Sequence, residues 1–144
     1  MSPAGFSCGN IRYKKATTIE RVPMKCLDLK CFVPAKNHSH SKKFYKSLGF
    51  KENWSAGNLS EFAIGDFRFL LQDFYDEALA KNMMLHLLVD SAQEFYDDFA
   101  DKVDFSQYPG ASIEPPEMQP WGMRVAYMRD PSGVLWHIAE TSAV

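Results

Sequence analysis

What the sequence has little of narrows the field first. Cysteine is scarce: the three are Cys8, Cys26 and Cys31. Cys26 and Cys31 lie an odd number of positions apart in one extended segment, so they point to opposite faces and cannot bridge each other there. The expectation is free, buried thiols in a reducing compartment, which places the chain in the cytoplasm. Long hydrophobic runs are missing too, so no membrane-spanning helix is expected. Nor does charge of one sign dominate. A net charge of −2 gives no field that would draw the chain to nucleic acid or to a membrane surface. Residues 1–23 have few large apolar side chains and lack the apolar centre of a signal peptide, while carrying Arg12, Lys14, Lys15 and Arg21 against Glu20. They read as a basic, poorly ordered extension.

Aromatic residues are plentiful, with 11 Phe, 6 Tyr and 3 Trp in 144 residues. A chain of this length buries about 70% of its unfolded surface and folds without disulfides. One domain is expected over residues 24–141, and its pattern is stated twice.

The first module, residues 24–74, opens with an alternating stretch from Cys26 to Ala35, in which Leu27, Leu29, Cys31, Val33 and Ala35 form one apolar row. Asn37 to Leu48 has the spacing of a helix, with Phe44, Tyr45 and Leu48 on one side and Gly49 just past its end. Three strands follow, Phe50–Ser55, Leu59–Ile64 and Phe67–Phe74, separated by Ala56-Gly57-Asn58 and Gly65-Asp66 turns. Residues 75–82 form a short connector. The second module, residues 83–141, repeats the order. Leu85, Leu87 and Val89 alternate with Met84, His86 and Leu88, and then Ser91 and Glu94 make a capping-box pattern. The helix behind it carries Phe95, Tyr96, Phe99 and Val103 at helical spacing. Extended segments follow around Ala111–Glu114, Gly122–Arg129 and Val134–Glu140, with Pro115, Pro116 and Pro120 suited to edges or loops. The last two strands meet at an Asp130-Pro131-Ser132-Gly133 turn, where proline presets φ and glycine closes. Beyond that turn, Val134, Trp136 and Ile138 alternate with Leu135, His137 and Ala139, so an imidazole projects opposite a bulky apolar row.

The doubled βαβββ order, with Phe44-Tyr45-Lys46-Ser47-Leu48-Gly49-Phe50 and Asp130-Pro131-Ser132-Gly133-Val134-Leu135-Trp136, resembles the vicinal oxygen chelate superfamily. That group includes glyoxalase I, extradiol dioxygenases, fosfomycin-resistance enzymes and bleomycin-resistance proteins. The resemblance spans residues 24–141. It implies an α+β fold in which two tandem modules form curved, mostly antiparallel sheets around a cleft, with helices outside, and it implies pairing with a second copy as a homodimer. Function varies across such a fold, so chemistry has to come from the cleft residues.

In metal-using members, ligands stand on the first strand of each module and on the last. The matching positions here are Lys30, Gln72, Met84 and His137. Protonated lysine has no free lone pair, and methionine is too soft for hard or borderline divalent ions, which leaves His137 as the one good ligand. A shifted set of Asp28, Gln72, His86 and His137 would support the alternative, a metal-dependent lyase, isomerase or dioxygenase. It requires two displacements of roughly 6–7 Å along the strands. Glyoxalase-type chemistry also needs a carboxylate base, and no matched cleft position supplies a Glu. The favoured reading is therefore closest to the bleomycin-resistance-like, metal-free branch. It is a binding or sequestration protein with no cofactor and no assigned catalytic residue. Its cleft would hold a small organic ligand among Lys30, Phe32, Trp54, Arg68, Gln72, Met84, His86, Trp121 and His137, with Phe62 and Met123 in the walls. Two cations favour a ligand with an acidic group. The plainer alternative makes His86 and His137 satisfied core histidines and Lys30 and Arg68 rim cations. His38 and His40, beside the first helix start, are expected to be exposed.

Overall fold

The computed structural model describes residues 24–141, so the reading of residues 1–23 lies outside the described residues. Four strands form the first sheet: β1 (Phe32–Pro34), β2 (Lys51–Ala56), β3 (Leu59–Ile64) and β4 (Phe67–Gln72), in the order β1-β4-β3-β2. Helix α1 (His38–Ser47) links β1 to β2. A short helix α2 (Glu77–Asn82) leads to β5 (Met84–Val89), and α3 (Ala92–Lys102) follows. The second sheet adds β6 (Ser112–Ile113), β7 (Glu117–Met118), β8 (Arg124–Arg129) and β9 (Leu135–Glu140), running β5-β9-β8-β6 with β7 also on β8. In each sheet the opening strand lies parallel to the last one (β1 on β4, β5 on β9), while the other pairings are antiparallel. The α+β class and the paired βαβββ order expected from the sequence are what the molecule shows.

Local chemistry places the helices. Each starts at a side chain that accepts an otherwise orphaned backbone N–H: Asn37 from His40 at 3.1 Å, Asp76 from Leu79 at 2.8 Å, and Ser91 from Glu94 at 3.1 Å. The Glu140 carboxylate takes the N–H of Ala92 at 3.1 Å, which ties the start of α3 to the end of β9.

Four expectations need correction. The strand from Cys26 to Ala35 shrinks to Phe32–Pro34, and Leu27 and Leu29 stand 84% and 93% exposed. Alternation shows that a segment can be half-buried, but it does not supply the neighbouring strand; upstream of Cys31 no ladder forms. Cys26 and Cys31 are free, as expected, yet exposed for the same reason. The connector contains α2, which buries little besides Ala80 and so gave a weak periodic signal. His38 and His40 are half-buried: one meets the Ser60 hydroxyl at 3.2 Å and the other packs on the Tyr108 ring at 4.8 Å.

Tyr45 organises the core. Its buried ring lies within 6 Å of the Phe44, Phe50, Phe62, Phe69 and Trp136 rings. Its hydroxyl donates to Asp130 Oδ2 at 2.6 Å and accepts from Trp136 Nε1 at 3.1 Å. Asp130 Oδ1 accepts from the backbone N–H groups of Ser132 and Val134. The turn closes with Gly133 N–H donating to the Asp130 carbonyl at 3.0 Å, and Gly133 takes the φ of +91° that disfavours other residues. Burial pushes the Asp130 carboxyl up to about 6 and holds the Tyr45 hydroxyl protonated, well above its ordinary range. Phe69 of the first sheet meets Trp136 of the second at 5.4 Å between ring centres. The two sheets thus touch through their core-bearing faces, and the other face of each points outward.

Candidate functional site

Those outward faces carry the chemistry. On the first sheet, Arg68, Leu70 and Gln72 of β4 oppose the buried row of Phe69 and Leu71, and Phe32 pairs with Leu70. Trp54 of β2, just past a bulge, registers against Glu61 of β3. Glu61 is only 4% exposed, bound by the Lys30 ammonium and by Asn53 Nδ2 at 2.9 Å. These hydrogen bonds, Lys30 first, hold its carboxyl below the usual range. Asp28 reaches Arg68 at 3.2 Å and Lys30 at 3.7 Å. Glu61 is the functional candidate that sequence reasoning passed over. Its signal was present, because Leu59, Glu61 and Ala63 alternate with Ser60, Phe62 and Ile64, and a carboxylate on the face opposite Phe62 has to be on the outward side. Phe62 itself belongs to the core and not to a cleft wall.

On the second sheet the outward row is Met84, His86 and Leu88 of β5 beside Leu135, His137 and Ala139 of β9. His86 and His137 are register partners, and Tyr127 of β8 sets its ring edge-on to His137 at 4.9 Å. The Nε2 of His137 is buried and without a hydrogen-bond partner among the described residues. Burial, and secondarily the neighbouring His86, lowers its basicity, so the ring is neutral at pH 7 and can offer Nε2 as donor or acceptor.

The candidates from the sequence therefore fall into two groups. Lys30, Phe32, Trp54, Arg68 and Gln72 share the first outward face; Met84, His86 and His137 share the second; Trp121 stands 44% exposed on the loop between β7 and β8. Among the described residues, the groups approach each other at a seam, a cavity of about 260 Å³ where Arg68 and His86 flank Cys31, Phe69, Leu87 and Trp136. Asp28 is held by Arg68 and Lys30, and among the described residues no three His, Cys, Asp or Glu side chains are grouped to hold an ion.

Two βαβββ units sharing one core, each with an open outward face, define the class of fold. The profile of the glyoxalase/bleomycin resistance protein/dioxygenase superfamily matches residues 29–138, and the chain belongs to that superfamily. Among solved structures it is similar to a bleomycin-binding protein complexed with bleomycin (22% identity, 81% of this chain and 100% of the other, TM-score 0.69). It is also similar to the bleomycin-binding protein of Streptomyces verticillus complexed with copper(II)-bleomycin (21% identity, 83% and 99%, TM-score 0.69). A third likeness is to a bleomycin resistance determinant encoded on transposon Tn5 (25% identity, 81% and 99%, TM-score 0.66). No curated protein sequence matches.

Proposed function

We propose that this protein binds and sequesters a small organic ligand, without a resident metal and without chemistry of its own. The observation that carries the reading is His137: a largely neutral imidazole with a buried Nε2 that has no partner among the described residues, in register with His86 on the face of the second sheet opposite the core. A buried polar atom left unpaired costs stability, and a ligand hydrogen bond would remove that cost. The likeness to bleomycin-binding proteins supports the same class of ligand. Lys30 is held by the buried Glu61, whereas Arg68, 43% exposed at its side chain, is paired with the partly exposed Asp28 at 3.2 Å and is the more accessible of the two cations to an acidic group. The exposed free thiols favour a reducing, cytoplasmic setting.

The outward faces point away from the shared core, so a cleft between them requires a second copy. That copy would set the first outward face of one chain over the second face of the other. Met84 and Leu88, 64% and 53% exposed, are the apolar surface such pairing would cover. Titration of the purified protein with metal-free bleomycin, followed by tryptophan fluorescence and calorimetry, should give saturable binding that His137→Ala weakens about tenfold. Sedimentation should report a dimer, and elemental mass spectrometry should find no stoichiometric metal. Metal present at one equivalent and lost in His137→Ala would overturn the reading in favour of the metalloenzyme.

A further inference from the structure

A second cavity, far larger than the seam, lies where the connections between elements converge, and none of the candidate residues named above lines it. Its volume is about 630 Å³, within the roughly 300–1,000 Å³ of ligand-holding clefts. Three cations border it: Lys36 just past β1, Lys81 on α2 and Arg129 at the end of β8. The Arg129 guanidinium is held by the Gly133 carbonyl at 2.9 Å, and the main chain at Lys36 is tied to the same turn, its N–H donating to the Ser132 hydroxyl at 2.9 Å. The one carboxylate among its described lining residues, Glu77, is bound to Lys81. That leaves an excess of two positive charges in a chain whose net charge is −2. Pro109, Pro131 and the half-buried Tyr75 give the walls an apolar body, and the Lys36 ammonium stands 5.5 Å from the Tyr75 ring centre.

We infer that this groove is a binding site for a small organic anion. The phosphate or carboxylate sits among the Lys36, Lys81 and Arg129 side chains, and the planar or aliphatic body lies against Tyr75 and the two prolines. Charge-assisted contacts to flexible lysines are strong but unselective, so selectivity comes from the ring and the prolines. Such a site is independent of the outward faces, and its occupancy does not depend on His137.

The test is a titration of the full chain with phenyl phosphate, benzoate and inorganic phosphate, read from backbone amide nitrogen–proton spectra. Saturable shifts are expected at Lys36, Gly110 and Gly133 with phenyl phosphate or benzoate, and whichever binds more tightly identifies the anionic group. Lys36→Met combined with Lys81→Met should weaken binding about tenfold or more while leaving the rest of the spectrum in place. Tyr75→Leu should reduce the preference for phenyl phosphate over inorganic phosphate. Inorganic phosphate binding as tightly as both organic anions would overturn the inference, as would equal response in the double variant or no saturable shift with any of the three.

Discussion

The buried Asp130 side chain binds Tyr45, Ser132 and Val134 at once. It joins the β8–β9 turn to Tyr45 on α1, and through Tyr45 to Trp136. Its carboxyl titrates near 6 in the folded protein against 3.8 ordinarily, so the folded state holds the proton more tightly than the unfolded one. Stability from this group is fully present below about pH 4 and declines as pH rises to about 6, by on the order of 3 kcal/mol. His137 has the opposite sign. Its lowered basicity gives stability that is present above its ordinary value of 6.5 and lost as pH falls. The informative quantity is thus the difference between wild type and Asp130→Asn in urea unfolding across this range. That difference should shrink as pH rises from about 4 to about 6 and stay flat above it. A difference independent of pH would show that Asp130 stays ionised in the fold.

Among the elements, those with a strong pattern and a recognisable start were legible before any coordinates. The expected helix Asn37–Leu48 becomes α1 with Asn37 as its cap, and the Ser91 and Glu94 pattern marks the start of α3. Replacing Asn37 or Ser91 by Ala should cost about 1 kcal/mol in chemical denaturation, because one backbone donor at each helix start loses its acceptor. Before β1, alternation at Leu27 and Leu29 carries no information about whether a strand lies alongside, and among the described residues none does. The short α2 and the two-residue β7 fell below the length at which periodicity speaks, whereas β6 lies within the extended segment expected at Ala111–Glu114. At the site, alternation correctly set His86 and His137 opposite the buried rows, because a strand has only two sides. It said nothing about which faces of different sheets would meet, and Glu61 lies outside the strand positions that match the family's ligand sites.

For the whole molecule, the sharing of one core between both sheets decides what association can do. On the pairing proposed above, Leu88→Glu on the second outward face should shift sedimentation from dimer to monomer while leaving the circular dichroism spectrum unchanged, since Leu88 lies outside the internal core. A monomer that also lost ligand binding would show that the site is built across two chains. The pairing of opening and closing strands has a kinetic consequence as well. β2, β3 and β4 are joined by short turns, as are β8 and β9, but β1 reaches β4 and β5 reaches β9 only after nearly a whole module has been ordered. Such distant parallel contacts carry the loop-closure entropy that slows folding. In a pulse-labelled refolding experiment the amides of β3 and β8 should gain protection first and those of β5 last, so the strand bearing His86 arrives late, and the face it shares with His137 is absent from the earliest compact forms of the chain.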